Sequence, residues 1–306
     1  MARRRKGRVV NGILLINKPT GHSSNHVLQK LRRMYNAQKA GHTGSLDPLA
    51  SGMLPICFGE ATKFSQFLLD ANKAYRVTAR LGEKTTTADA EGEVIERREV
   101  NVTPEQLAQV VAEFRGNTLQ TPSMFSALKH QGQPLYKLAR QGIEVERKAR
   151  PIEVFEATIE SFSAPEFSMY VVCSKGTYIR NLIEDIGEKL GCGAHVTVLH
   201  REWVGHFPAA QMLPMEHLQQ LRDAEDFAAM DALLLPVDAA LEGYPQVTLD
   251  DDAAFYFSQG QAISMPTPAD SDLIKVYHPS GEFLGIATVN DDLQLQPKRV
   301  IAATPS

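Results

Sequence analysis

Segments with the alternation of a strand and segments with the period of a helix follow one another along this chain, yet never settle into a repeated strand–helix unit. "VVNGILLIN", residues 9–17, reads as a buried strand stopped by Lys18-Pro19. "SSNHVLQKLRRMYN" follows, with a Ser cap at 23 or 24 and apolar residues at 27, 28, 31, 34 and 35, the spacing of an amphipathic helix. "MLPICFG" and "AYRVTARLG" read as strands, with "EATKFSQFLLD" as a helix between them. In "VTPEQLAQVVAEFRG" Thr103 caps a helix, Pro104 takes its first position, Gln106 completes a capping box and Gly116 ends it. "FSMYVVCSKG" alternates, with Phe167, Met169, Val171 and Cys173 on one face. "TYIRNLIEDIGEKLGCG" is a helix with the stripe Ile179, Leu182, Ile183, Ile186 and Leu190, closed by Gly191. "AHVTVLHREWVG" is strand-like again. Such an order favours the class α+β over a doubly wound α/β sheet.

Two regions depart from this grammar. Residues 117–150 keep no steady period; "SALKHQGQPLYKLARQG" offers one short basic helix within a long connection. Long irregular segments in compact domains are usually functional or disordered. We read about 120–150 as a mobile basic arm carrying Phe125 and Tyr136. From about 246 to 306, short strands alternate with polar turns, the pattern of a small β domain; residues 1–245 form the large one. No apolar run approaches ~18 residues, so no membrane span is expected. The basic start is followed by an apolar stretch broken at Asn11 and Gly12, so no signal peptide is expected. Cys57, Cys173 and Cys192, odd in number and far apart, are no disulfide framework, so a reducing, cytoplasmic setting is expected.

Net charge −4 would speak against a nucleic-acid partner, but the distribution does not. Residues 1–46 hold ten Lys or Arg (Arg3, Arg4, Arg5, Lys6, Arg8, Lys18, Lys30, Arg32, Arg33, Lys39) and no acid. Residues 126–150 add six bases against two glutamates, whereas 216–252 carry ten acids and only Arg222. Averaging these blocks hides a strongly basic surface.

Several familiar chemistries fall away. "NKPT" ends in Thr20 where a GTPase base-reading motif needs Asp, and no phosphate-cradling glycine loop occurs, so no nucleotide cofactor is expected. Cys192 and His195 in "CGAH" lack a second ligand pair, so no metal is expected. Ser45 and His42 have no third member for a nucleophilic triad. A paired-carboxylate hydrolase would need a second acid brought in by another element, and the sequence leaves that alternative open.

"GHTGSLDPLASG", residues 41–52, poses the sharpest question: Asp47 stands between Leu46 and Leu49 in a glycine-rich loop. A loop Asp-Pro ordinarily makes a turn or a helix cap and needs no apolar neighbours. With its continuation, "GHTGSLDPLASGMLP" resembles the catalytic signature of the TruB family of tRNA pseudouridine synthases. "LLINKPTGHSS" is similar to that family's Lys-Pro motif, "KAYRVTARLG" to its second motif, "SKGTYIRNLIEDIGEKLG" to its third, and "GAHVTVLHR" to the segment ending at Leu199. The five matches run in order over nearly all of residues 9–205.

The resemblance implies a mixed, largely antiparallel sheet with flanking helices, plus a PUA-like, RNA-binding β domain from about 246. It implies conversion of uridine to pseudouridine in the T-arm of tRNA, position 55, with the T-stem-loop as partner and no cofactor. Asp47 would be the catalytic group, attacking sugar or base or removing a sugar proton. Burial between leucines disfavours its charge, and by resemblance Arg180 supplies the cation, whose planar fork can grip a carboxylate with two prongs. Tyr75 would face the extruded uracil, Tyr178 and the backbone near Leu199 would line the pocket, and His42 would fill the vacated space. Lys18 joins them as a substrate-binding candidate, and a monomer is expected. The other readings are a non-catalytic RNA-binding or RNA-folding module of the same fold, and a synthase acting on another RNA.

Overall fold

The computed structural model describes residues 7–126, 128–265 and 272–302, so Arg3, Arg4, Arg5 and Lys6 lie outside the described residues. One sheet holds nine strands: β1 (Gly12–Lys18), β2 (Ala40–His42), β3 (Ser51–Phe58), β4 (Lys73–Leu81), β5 (Gly116–Gln120), β6 (Arg150–Ser163), β7 (Glu166–Cys173), β8 (Ala194–Val204) and β9 (Leu213–Pro214). Their order is β9-β1-β3-β8-β4-β7-β6-β5, with β2 beside β3. Pairing is parallel at β9–β1 and β3–β8 and antiparallel elsewhere. This is the α+β, largely antiparallel architecture expected from the sequence.

The amphipathic helices α1 (Ser24–Met34), α2 (Pro104–Glu113) and α3 (Ile179–Lys189) lie on one face, joined near β1 by the helix Met215–Asp223. Val27 and Leu31, Leu107 and Val111, and Leu182 and Ile186 pack there on Val77, Ala79, Met169 and Val171. Each fully buried side chain of this size contributes about 1.5–3 kcal/mol. The other face is divided. Behind β1 and β3 lies a second core, in which Ile13, Leu15, Met53 and Cys57 meet Phe64, Leu68, Phe283 and Ile286. Behind β4 and β7 the sheet is wet: Arg76 pairs with Glu160 and Glu202, and Trp203 Nε1 donates to Tyr170 Oη. An antiparallel sheet tolerates one solvated face.

Phe283 and Ile286 belong to a small four-stranded sheet of Gln246–Thr248, Ile274–Tyr277, Phe283–Val289 and Leu295–Val300. The helix Asp251–Ser258, capped by Asp250, closes its own core of Leu249, Phe257, Ile274, Val276 and Leu295.

The structure differs from the sequence reading at several places, among them three near the site. Strands β5 and β6 were not expected. Bulges between Val154 and Glu156 and between Ile159 and Ser161 shift the alternation of β6 and hide its period. The segment read as one helix after β3 is a 3₁₀ turn, Gly59–Lys63, then a short helix, Ser65–Asp70; Phe64 between them is not helical and enters the second core. The basic arm contains a two-residue hairpin, Lys129–His130 with Gln133–Pro134, and one helical turn, Leu135–Ala139.

Candidate active site

Asp47 lies in the turn between β2 and β3, and its apolar neighbours are anchors. Leu46 is buried in the main core and Leu49 packs against it, so the carboxylate between them is left facing the cleft. The entrance to α1 forms a mould around this turn. Ser23 is the helix cap, accepting from His26 N at 3.2 Å, which frees the Ser24 hydroxyl. Ser24 Oγ accepts from Leu46 N at 2.7 Å and donates to Leu46 O at 3.1 Å. Gly21 N donates to Pro48 O at 2.8 Å. Ser24→Ala would leave two buried backbone groups unpaired and should cost about 1–3 kcal/mol in a urea titration. An unchanged midpoint would show that Leu46 is held by other means.

Lys18 lies beneath this mould, not in the cavity. It is fully buried, and its Nζ donates to the carbonyls of Pro19 and His22. Desolvation lowers its pKa to about 8, against the opposing pull of Asp47. The structure thus places it as a support for the turn rather than as a wall of the pocket.

Arg180, in the first turn of α3, reaches Asp47 with Nε 2.9 Å from Oδ2. Its side chain is 7% exposed, against 40% for Asp47. The two-pronged grip on Asp47 does not form. Nη1 lies 3.3 Å from Oδ2 of Asp89 and donates to the Thr87 carbonyl at 2.8 Å, while Nη2 donates to the Phe125 carbonyl at 3.1 Å. Asp89, which the sequence reading missed, is buried and takes the prong that Asp47 would have used. It is itself fixed by Thr87 Oγ1 at 2.5 Å and Glu91 N at 3.1 Å. Burial pushes the Asp47 carboxyl above the usual carboxylate range; Arg180 pulls it back most strongly, and Asp89 adds to the upward push.

A cavity of about 840 Å³ opens beside this pair, lined by His42, Tyr75, Tyr178, Leu199 and Arg201 with Asp47 and Arg180 in its wall. Pockets of this size take small organic ligands. Tyr75 on β4 and Leu199 on β8 are near-buried, and the strands are in register there, Arg201 opposite Tyr75 and Leu199 opposite Val77. Tyr178 precedes α3, its backbone clasped by the Gln120 amide through Tyr178 N to Oε1 (2.8 Å) and Nε2 to Tyr178 O (3.0 Å). Gln120 is a second residue that sequence reasoning missed. Desolvation, then Arg201, lowers the His42 pKa, which favours a neutral imidazole, a better stacking surface than a charged one. A second cavity of about 470 Å³ shares Asp47 and Arg180 and runs out under Tyr136 and Arg140 of the arm. Among the described residues no cluster of His, Cys, Asp and Glu could hold a metal ion. His195 Nδ1 instead meets the Glu83 carbonyl at 3.1 Å, and Cys192 is buried.

An ionisable carboxylate held by a fixed cation, facing a flat aromatic pocket, suits chemistry on a sugar or base without redox. Three family models match the chain: TruB family pseudouridylate synthase, N-terminal domain, over residues 32–179; tRNA pseudouridylate synthase B C-terminal domain over 180–242; and pseudouridine synthase II TruB, C-terminal, over 245–301. The chain is 52% identical to tRNA pseudouridine synthase B of Mannheimia succiniciproducens, covering 97% of this chain and 98% of that protein. It is also 52% identical to the protein of the same name from Tolumonas auensis, over 98% and 96% of the two lengths. Among solved structures, an archaeal box H/ACA sRNP Nop10–Cbf5 complex matches with a TM-score of 0.73 and 22% identity, over 99% of this chain and 93% of that one. A Cbf5–Nop10–Gar1 complex matches at 0.72 and 24%, over 96% and 86%. At these identities the two structures speak for the fold alone.

Proposed function

Because the chain belongs to the TruB family of tRNA pseudouridine synthases, we propose that it isomerises uridine 55 in the T-arm of tRNA, with Asp47 as the catalytic group. The observation that supports this reading is the Asp47–Arg180 pair in the wall of a cavity otherwise lined by Tyr75, Tyr178 and Leu199. The reaction breaks the N1–C1′ bond, turns the base and joins C5 to C1′; nothing is oxidised and no group is lost. A target stacked in folded RNA must first be turned out, at a cost of a few kcal/mol. Tyr75 then receives the face of the uracil, Tyr178 and Leu199 close the pocket, and His42 stacks on what remains in the loop. Arg180, shared with Asp89, keeps Asp47 turned towards the ribose. Lys18 and Ser24 hold the turn that presents it.

Phosphates meet the arm in this reading. Lys129 lines the main cavity and Arg140 the second, with Lys148 and Arg150 exposed nearby. Arg32 and Arg33, basic in sequence, end α1 roughly 13 Å along the helix from the Asp47 turn. Replacing Lys129, Arg140 and Lys148 by Gln should therefore flatten log affinity against log salt by roughly 0.7–0.9 per charge removed. An unchanged slope would move the RNA surface elsewhere. We also propose that residues 246–306 act as an RNA-contacting domain packed on the catalytic one. With eight acids against three Lys or Arg, it would orient the RNA by shape rather than charge. The enzyme is proposed to work as a monomer in the cytoplasm, where its substrate is found.

The deciding experiment incubates the protein with unmodified tRNA transcripts and maps pseudouridine chemically. Product at the T-loop uridine is expected. Product only in another RNA would replace the target, and binding without product would favour a non-catalytic module.

A further inference from the structure

Arg201 is a fully buried cation with no acid. It is 1% exposed, and among the described residues no carboxylate lies within ion-pair distance of it. Register places it on β8 between Gly52 of β3 and Tyr75 of β4. Its Nε donates to the Met53 carbonyl at 2.7 Å and its Nη2 to the Gly44 carbonyl at 3.2 Å, so one side chain joins the two ends of the loop that carries Asp47. The strands meet so closely that a Cβ on Gly52, whose φ is +103°, would stand 2.3 Å from the Arg201 carbonyl oxygen. No side chain fits there.

Burying an unpaired charge costs several kcal/mol. The Met53 and Gly44 carbonyls and the Tyr75 hydroxyl occupy its donors, but all three partners are neutral and none compensates the charge. Lys73, the neighbouring buried cation, is more simply explained, since it donates to the carbonyls of Leu69 and Ala71 and so ends the helix Ser65–Asp70. Arg201 lines the main cavity, at the level of Tyr75. Its field is felt around the pocket, where, after desolvation by burial, it lowers the pKa of both His42 and Lys73.

We propose that Arg201 is a positioning residue that fixes both ends of the Asp47 loop and, through its uncompensated charge, stabilises the uracil as it leaves the ribose as an anion. This rests on the isomerisation proposed above. When the N1–C1′ bond breaks heterolytically, its electron pair leaves on the base, spread over N1, O2 and O4. After the base has turned, C5 bonds to C1′, the C5 proton is released to the medium and N1 takes one up, so no co-reactant is needed. A fixed positive charge at the pocket costs no reorganisation at that moment.

The test compares wild type, Arg201→Lys, Arg201→Gln and Arg201→Met on transcripts carrying uridine or 5-fluorouridine at the target. The single-turnover rate of C-glycoside formation is read with protein saturating. Fluorine stabilises the departing anion by itself. Losing the charge should therefore slow the uridine reaction about 100-fold, with tRNA affinity kept, and the fluorinated one by only about tenfold. The lysine variant, still charged, should show the same modest deficit on both substrates. Gln stands in for Met should that variant fail to fold, because it retains a donor for one carbonyl. Equal deficits of the neutral variants on the two substrates would overturn the role of the charge. Loss of tRNA affinity in step with rate would reduce Arg201 to a structural residue. Wild type that fails on uridine would instead sink the proposed function.

Discussion

Asp47→Asn should remove turnover and leave tRNA binding intact. The amide keeps the shape of the side chain, so the turn held by Ser24 and Gly21 is undisturbed. What would disappear is the charge of the carboxylate proposed to face the ribose. The expected loss is about 10⁴-fold or more, equivalent to about 5.4 kcal/mol of transition-state stabilisation. Single-turnover assays at saturating enzyme and an equilibrium binding curve separate the two effects. A variant within about tenfold of wild type would dismiss Asp47 as the catalytic group. A second readout follows from electrostatics. The folded-state pKa of Asp47 is raised, so its contribution to stability is present at low pH and is lost as pH rises through that value. At neutral pH the charge opposes folding, and the asparagine variant should melt no lower than wild type. If Asp47 is the catalytic group as proposed, function is held at the expense of the fold.

Arg180→Met is the second large effect, and its signature is a pH profile. The proposed reaction uses ionised Asp47, so the rate should fall as pH drops through the Asp47 pKa. In wild type that acid limb should lie above the usual carboxylate range, because Arg180 offsets the desolvation only in part. Without Arg180, Asp47 loses its strongest stabilising charge and still faces Asp89. The limb moves to higher pH. Activity near pH 7 should drop roughly 10³-fold and climb about tenfold per pH unit until Asp47 has titrated. Arg180→Lys should also fall, by roughly 10²-fold, since one ammonium cannot serve Asp47, Asp89 and the carbonyls of Thr87 and Phe125 together. A Met variant that is slow and flat with pH would mean that Arg180 acts by position alone. A fast one would remove it from the site.

Local signals reached far into this molecule and stopped at identifiable points. The helices were legible because stripe and cap coincide, as in Thr103, Pro104 and Gln106 of α2. Strand β6 was not, because two bulges rotate its inward positions out of phase. Asp47 could be picked out by its leucine neighbours and by resemblance. Asp89 could not: "TTTADAEG" looks like any polar turn. Its meaning comes from Ala90 N bonding to Val196 O and Val196 N to Ala88 O, which hang the turn on β8 within reach of Arg180. Gln120 is silent for the same reason, since its partner is the backbone of Tyr178. Lys18 shows the opposite case. Its motif was plain, but only the burial of its Nζ among carbonyls reveals that it faces the protein and not the cavity.

Strand β1 is shared property: Leu14 and Ile16 belong to the core under α1, Ile13 and Leu15 to the one behind it. Met53 is shared in the same way, its carbonyl bonded to Arg201 at the foot of the Asp47 loop and its side chain in the core that contains Phe283. Cutting the chain at 245 would therefore not release a smaller working enzyme. It would strip the backing from the loop that holds the carboxylate and bare an apolar face, a surface that invites aggregation. A trimmed version, for engineering or for grafting onto another RNA-binding scaffold, would have to carry a replacement for Phe283 and Ile286 before it could be asked to turn over a nucleotide.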